Sequence, residues 1–343
     1  MQVPEILSRY REAIDSGLKT ALAKGDLPLF GMLRYHMGWV DEQFRPVSAT
    51  AGKAVRPALC LFACEAAGGD WHRALPAAVS FELIHNFSLV HDDIQDGDTQ
   101  RHHRPTVWFR WGHSHGLNAG SAMHILANEA LDNAAAAGLS PEVTLRTTQT
   151  LTKACLDMIE GQTLDMAFES RPRVSTADYL VMIEKKTGAL LQGSLQAGTG
   201  IASTDPLLQD EMGRFGHALG RLFQVRDDML GVWGDAHDTG KPTASDLHRR
   251  KKSLPVVYTL EHAGKDESAQ RFPSIYRTRE SLSEADVAVL LSVMEDLGAR
   301  EFCQRLAEEE AAKARTALAA MPIAPWAKAQ ADELVTFLLD REF

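Results

Sequence analysis

The chain has no CxxC pair, no run approaching about 18 uninterrupted apolar residues, almost no strand-like alternation, and too few basic residues to balance its acids. Each shortage excludes something. Without CxxC spacing, thiolate metal or redox chemistry has no support, and Cys60, Cys64, Cys155 and Cys303 read as small buried hydrophobes. Without a long apolar run there is no stable membrane insertion to expect, and Met1 to Leu22 lacks the apolar core of a secretion signal, so a cytoplasmic protein is expected. A formal net charge of -10 argues against general affinity for nucleic acid or anionic membranes. No repeat of fixed period and no low-complexity linker divides the chain.

What is present is helical periodicity. The 343 residues are 45% hydrophobic and 24% charged, ordinary for a soluble protein with a sizeable core. Apolar residues recur at helical spacing over Ile6 to Ala23, Pro57 to Ala67, Ala74 to His91, Gly120 to Ala136, Val143 to Met166, Leu207 to Leu230 and Glu284 to Met321. Gly68-Gly69-Asp70, Ser140-Pro141-Glu142 and the capping-box candidate Ser175-Thr176-Ala177-Asp178 punctuate them. The pattern predicts an all-α helical bundle, one domain over residues 1–343. Gly234 to Ser253 stands out as a loop or lid, Ala263 to Arg279 is polar and weakly patterned, and Glu308-Glu309-Glu310 reads as a solvated helix face.

Two clusters of carboxylates follow apolar helical runs: Asp92-Asp93-Ile94-Gln95-Asp96 and Asp227-Asp228-Met229-Leu230-Gly231. On a helix, Asp92 and Asp96 share one face with Cβ atoms about 5–6 Å apart, where like charges repel. Either cluster alone could be a solvated helix end. Together they suit a hard divalent cation, and Mg²⁺ fits because it accepts carboxylates while keeping waters and substrate phosphates as its other ligands. A glycosidase pair is the weaker reading, because that chemistry needs one acid on each side of a sugar. Cations that an anionic substrate would need accompany the acids: Lys53 and Arg56 just before a helix, Arg101 and Arg104 after the first cluster, Lys186 in Glu184-Lys185-Lys186-Thr187-Gly188, and Lys241, Lys251 and Lys252 after the second. Taken singly, each could be a solvated surface charge.

In this order the residues resemble a family, the trans-type isoprenyl diphosphate synthases, also called polyprenyl synthetases. The elements are Gly52-Lys53...Arg56-Pro57, His85...Asp92-Asp93-Ile94-Gln95-Asp96 with Arg101, Gly161-Gln162, Lys186-Thr187, Phe223-Gln224...Asp227-Asp228, and Gly240-Lys241-Pro242...Asp246...Lys251-Lys252. The resemblance covers most of the chain. It implies an all-α fold around a central cavity, usually a homodimer, that joins an allylic diphosphate to isopentenyl diphosphate with about three Mg²⁺ per active site. By the same resemblance Asp92, Asp96 and Asp227 are the metal ligands, supported by Asp93 and Asp228. Arg101, Lys186 and Lys241 meet the leaving diphosphate, Lys53, Arg56 and His85 hold isopentenyl diphosphate, and Thr187 and Gln224 line the carbocation. One of Lys251 and Lys252 reaches phosphate.

Two stretches depart from the family pattern. Gly231 replaces the last acid of the second motif, and Arg101-His102-His103-Arg104 replaces the usual Arg-Arg-Gly-Arg/Lys run. His102 stands where an arginine usually holds isopentenyl diphosphate, with Arg104 the nearest substitute. For product length, Ser88 and Phe87 lie about one turn below Asp92. A small Ser88 above a Phe87 floor resembles producers of geranylgeranyl (C20) chains, with farnesyl (C15) next and C25 behind. A terpene cyclase on the same scaffold would not need the pocket of Lys53, Arg56 and His85. A non-catalytic regulatory subunit would be expected to have lost acids that Asp92, Asp93 and Asp96 retain.

Overall fold

The computed structural model describes residues 3–47, 54–234, 244–265, 270–276 and 281–340. Its helices are α1 (Glu5–Ser8), α2 (Arg11–Leu22), α3 (Pro28–His36), α4 (Val55–Ala66), α5 (Leu75–Gln95), α6 (Val107–Trp111), α7 (His113–Asp132), α8 (Pro141–Ser170) and α9 (Thr176–Ile183). After a π-helical turn, Glu184–Gly188, come α10 (Ala189–Ala202), α11 (Pro206–Trp233), α12 (Ser245–His248), α13 (Leu254–His262), α14 (Arg271–Tyr276), α15 (Glu284–Asp296), α16 (Ala299–Ala320) and α17 (Pro325–Leu339). The fold is all-α. Among the described residues the only paired strands are a two-residue hairpin, Gln100–Arg101 against Arg104–Pro105.

Local chemistry explains the boundaries. Ser140 caps α8 by accepting from the Val143 N–H, with Pro141 in the first turn, and Ser175 caps α9 by accepting from the Asp178 N–H. The expected helix over Glu284 to Met321 is two helices, because Gly298 takes a left-handed φ of 71° between them. The first expected helix likewise divides near Tyr10.

The core is built around α4, α5, α10 and α11. α5 packs on α7 and α4, α10 on α4, α8 and α11, and α11 on α16. α5 is buried on most sides from Ala77 to Ile84, so it runs through the interior and emerges only at its last turns. A second, smaller apolar cluster joins Val232, Leu247, Val256, Phe272, Leu290 and Met294. The weakly patterned stretch thus contributes Phe272, fully buried. The reading of Glu308-Glu309-Glu310 as a solvated face is wrong for Glu310: it is fully buried between α16 and α11, 3.3 Å from Arg221 and 2.9 Å from Lys313. No described helix is long and apolar enough to cross a membrane, and the four cysteines are buried and unpaired.

Candidate active site

α5 carries its helical geometry to the end of the first acidic cluster: Asp96 is the C-cap, and its N–H donates to the Asp92 carbonyl at 2.8 Å. Carboxylates at a helix C-terminus oppose the negative end of the macrodipole, so this is an unfavourable place for acids unless a cation is near. Burial pushes the Asp92 carboxyl up to about 6, with Lys186 opposing and Asp96 adding to the rise. Asp96, more exposed, is also raised: partial desolvation leads, Lys186 opposes, and Asp165 and Asp98 add to the rise. Asp93 differs. It is buried, and its Oδ1 accepts from Arg101 Nε at 2.9 Å.

In the second cluster Asp228 is fully buried and takes three donors: the Tyr179 hydroxyl at 2.6 Å, Gln224 Nε2 at 2.9 Å and the Leu254 N–H at 3.1 Å. Burial still pushes it up to about 6, with Lys251 opposing. Asp228 therefore braces α11 against α9 and α13. Its half-buried neighbour Asp227 is left to act on Lys251. Surrounding protein lowers the Lys251 ammonium, but Asp246, Asp228, Asp227 and Asp165 outweigh it and raise the group.

Asp165 is a residue that the sequence did not single out. It binds Lys186 Nζ at 2.5 Å, repels Asp92 and Asp96, and acts on Lys251, which puts it electrostatically between the two clusters. Its signal was at hand, since it lies one turn along α8 from Gly161-Gln162. Gly161 has its own reason: a Cβ there would lie 2.2 Å from the Lys186 nitrogen. A Cβ on Gly220 of α11 would lie 2.6 Å from the Gly188 Cα. The π-turn bearing Lys186 and Thr187 is thus clasped between two glycines, a distortion common at functional sites. Thr187 donates to Gln224 at 2.7 Å, so the two expected carbocation-lining oxygens belong to one chain, Thr187–Gln224–Asp228–Tyr179.

Beside these acids is a cluster of basic residues. Arg56 is pushed down to about 10 by burial against the pull of Glu82, and its Nε is buried with no hydrogen-bond partner among the described residues. His85 is held well below its ordinary value by burial, then by Arg56, Arg101 and His36. His36, which the sequence did not flag, is pushed down to about 3 by burial and Arg101, with His102 and Arg104 adding and a hydrogen bond with Asn86 opposing. Six groups from α3, α4, α5 and the hairpin thus share one positive field, which an anion would relieve.

The hairpin explains its own sequence. His102 and His103 have φ of 50° and 60°, as a two-residue hairpin turn with both central residues left-handed requires. Arg104 sits over the Tyr35 ring at 4.1 Å and donates to the Tyr35 and Val40 carbonyls at 3.1 and 2.5 Å, which pins the hairpin to the end of α3. Lys252 is likewise engaged by backbone, donating to the Phe168, Glu169 and Arg171 carbonyls at 2.5, 3.2 and 2.5 Å at the end of α8. Of the two lysines, Lys251 is the one on which Asp246, Asp228, Asp227 and Asp165 act. The Phe87 ring packs 5.3 Å from His124 of α7 and 4.9 Å from His91, and the Ser88 hydroxyl donates to the His85 carbonyl at 2.7 Å. Lys53 and Lys241 lie outside the described residues.

The expected loop or lid is, over residues 244–253, fastened on every side. Ser245 donates to the Gly231 carbonyl at 3.4 Å, Tyr276 to the Lys251 carbonyl at 2.8 Å, Arg250 to the Tyr276 carbonyl, and Arg249 pairs with Asp98. It ties the second cluster to the chain just past the first.

A family model described as "Polyprenyl synthetase" matches residues 37–294. The chain belongs to the polyprenyl synthetase family. It is 38% identical to the (2E,6E)-farnesyl diphosphate synthase of Mycobacterium tuberculosis over 98% of this chain and 93% of that protein. To the geranylgeranyl diphosphate synthase of the same organism it is 37% identical, covering 92% and 88%. The polyprenyl synthetase structure from Streptomyces coelicolor A3(2) superposes with a TM-score of 0.90 at 37% identity, covering 97% and 98%. A geranylgeranyl pyrophosphate synthase from Corynebacterium glutamicum, solved with isoprenyl diphosphate and magnesium, superposes at 0.83 with 26% identity, covering 99% and 100%. Polyprenyl synthetases are metal-dependent, and the donors here fit a hard cation. Asp92 and Asp96 offer crowded carboxylate oxygens, although among the described residues no three His, Cys, Asp or Glu converge into a closed cage. An open set suits a metal shared with substrate phosphate.

Proposed function

We propose that the protein joins an allylic diphosphate to isopentenyl diphosphate, head to tail and in trans geometry, to make a short-chain prenyl diphosphate. One observation carries this reading: an acidic wall of Asp92, Asp96, Asp165 and Asp227 adjoins a separate basic pocket of Arg56, His85 and His36, with Arg101 between them. Two diphosphates need two kinds of site. The acidic wall would hold about three Mg²⁺ with the allylic diphosphate, and the metal would supply the charge that eases departure of diphosphate. Asp165 and Asp93 orient Lys186 and Arg101 toward the same leaving group. Arg56 and His85 set isopentenyl diphosphate so that its double bond faces the allylic carbon, which is catalysis by alignment. Lys53 and Lys241 join these roles by resemblance.

Incubating the protein with Mg²⁺, isopentenyl diphosphate and each allylic primer, then sizing the dephosphorylated products, tests the proposal. Absence of any extension rejects it. The orphaned Arg56 Nε supports a condensing enzyme over a terpene cyclase, which has no second diphosphate to bind. Retention of Asp92, Asp93 and Asp96 weighs against a regulatory subunit. For product length we hold to C20 with Phe87 as the floor; the names of the two Mycobacterium relatives divide between C15 and C20.

The protein is also proposed to work as a homodimer. Leu117 and Ile125 on α7, and Leu145, Leu156, Ile159 and Met166 on α8, are exposed apolar residues on two helices that touch, and such residues suit an interface between two copies.

A further inference from the structure

Several helical hydroxyls of this chain give their proton to their own backbone one turn back: Ser194 donates to the Leu190 carbonyl at 2.7 Å, Thr199 to the Leu195 carbonyl at 2.9 Å and Thr259 to the Pro255 carbonyl at 2.8 Å. Thr187 does otherwise. It is buried in the π-helical turn, and its hydroxyl donates across to Gln224 Oε1 on α11 at 2.7 Å. A hydroxyl has one proton and two lone pairs. With that proton given to Gln224, Thr187 has only lone pairs to offer anything else beside it.

The direction of that bond is decided further along the chain of contacts. Gln224 Nε2 donates to Asp228 Oδ1 at 2.9 Å, while Asp228 Oδ2 accepts both the Tyr179 hydroxyl at 2.6 Å and the Leu254 N–H at 3.1 Å. With three donors pointing at it, Asp228 acts as an acceptor alone, so it draws the NH₂ end of the Gln224 amide and turns the oxygen end toward Thr187. We infer that Asp228 is a positioning residue that fixes the polarity of this chain, so that Thr187 presents lone pairs and no hydrogen where positive charge develops on the allylic carbon. The inference deepens the proposed condensation and rests on that reading, in which Thr187 and Gln224 line the carbocation. Oxygens held in place before the charge appears stabilise it without reorganising. The second acid of the second motif thus has a task apart from the metal.

A near-isosteric exchange reverses the chain. In Asp228→Asn the introduced amide must place its oxygen where Oδ2 stands, because the Leu254 N–H is a backbone donor with a fixed direction. Its NH₂ then faces Gln224, whose own amide must turn over to accept. The Gln224 NH₂ now points at Thr187, the Thr187 oxygen becomes the acceptor, and its hydrogen swings toward the reacting carbon. Thr187 changes from a stabiliser of positive charge into a group that repels it.

A double-mutant cycle tests this, with kcat and KM for chain extension measured at saturating Mg²⁺ and thermal unfolding of each free protein recorded beside them, for wild type, T187V, T187S, D228N and T187V/D228N. T187V is expected to lower kcat about tenfold or more with a much smaller change in KM, and T187S, which keeps the hydroxyl, to retain most of the rate. D228N is expected to lower kcat about a hundredfold. The decisive outcome is the coupling: T187V on the D228N background should cost nothing further, or restore part of the rate, because it removes a hydrogen that faces the wrong way. Were Asp228 only a brace between α11, α9 and α13, the two losses would multiply, and that result overturns the inference. A T187V enzyme with wild-type kcat overturns it as well. A wild type that extends no primer overturns the proposed condensation and the inference together. Should D228N fail to fold, Q224M takes its place in the cycle, since it removes the acceptor of the Thr187 proton: T187V must then cost less in Q224M than in wild type, and an equal cost overturns the inference.

Discussion

Asp93 holds Arg101 through one oxygen: Oδ1 lies 2.9 Å from Nε and 2.8 Å from Nη2. Asp93 is buried, while Asp96 four residues from Asp92 is open to solvent, so the three acids of the first motif divide into two kinds. Asp92 and Asp96 face a cation. Asp93 is buried and fixes Arg101, an arginine that acts on both Asp92 and His85.

That division gives different phenotypes. Asp96→Ala is expected to raise the Mg²⁺ concentration for half-maximal chain extension several-fold. Asp93→Asn should leave that requirement near wild type and raise KM for the diphosphate substrates, because Arg101 loses its alignment. Steady-state kinetics across a Mg²⁺ titration distinguish the two. Equal shifts in Mg²⁺ dependence would show that Asp93 is a third ligand.

The acids also cost stability. The Asp92 carboxyl, ordinarily near 3.8, is raised to about 6, so the folded state binds more protons than the unfolded one between these values and stability falls as pH rises through them. His36 has the opposite sign: pushed down to about 3, it makes stability rise with pH up to its ordinary 6.5, which masks the Asp92 effect in wild type. Comparing Asp92→Asn with wild type isolates it. The variant should be more stable at pH 7 by about 1 kcal/mol after allowing for partial exposure, close to wild type at about pH 3, and inactive. Denaturant midpoints at the two pH values measure this.

How much of this was legible beforehand depends on the range of the interaction. Asp92, Asp96, Lys186 and the helices bearing them follow from periodicity and local spacing, which act within one or two turns. His36 and Asp165 were not singled out because their partners come from other elements, His36 from α5 and the hairpin, Asp165 from the π-turn. Arg104 and Lys252 looked like phosphate ligands, as any basic residue beside an acidic motif does. Their engagement with the carbonyls of α3 and α8 is a property of the folded chain alone. Gly231 was legible as a departure, but the Asp246 carboxylate that fills the place of a side chain there was not.

Lys251 and Lys252 should therefore fail in different ways. Lys251→Ala is expected to weaken diphosphate binding about tenfold. Lys252→Ala removes three contacts to carbonyls at the end of α8 and should cost about 1–3 kcal/mol in unfolding with a smaller effect on binding. Calorimetry with inorganic diphosphate and Mg²⁺, beside urea unfolding, reads both. The reverse pattern would exchange their roles.

His103 occupies a left-handed position, φ 60°, that glycine takes without steric cost. His103→Gly should stabilise the protein by about 0.5–1 kcal/mol, after the greater flexibility of glycine in the unfolded chain is subtracted. The measurement is urea unfolding at pH 7.5. A destabilised variant would mean that the imidazole makes a contact outweighing the backbone strain.

The Phe87 floor is testable by product size, and its packing refines the expectation. Phe87 does not stand alone: its ring lies 5.3 Å from His124 on α7, so removing the phenyl group leaves the imidazole facing the same space. Phe87→Ala should lengthen products by at least one five-carbon unit, yet keep a defined limit because His124 remains. Phe87→Ala with His124→Ala should broaden the distribution toward longer chains, and His124→Ala alone should change little while the phenyl group still blocks the path. Sizing the dephosphorylated products of all three, with Tm measured to exclude unfolding, decides the matter. A Phe87→Ala enzyme that stops at the wild-type length would show that Phe87 is a core aromatic sealing α5 against α7, with the chain terminated elsewhere.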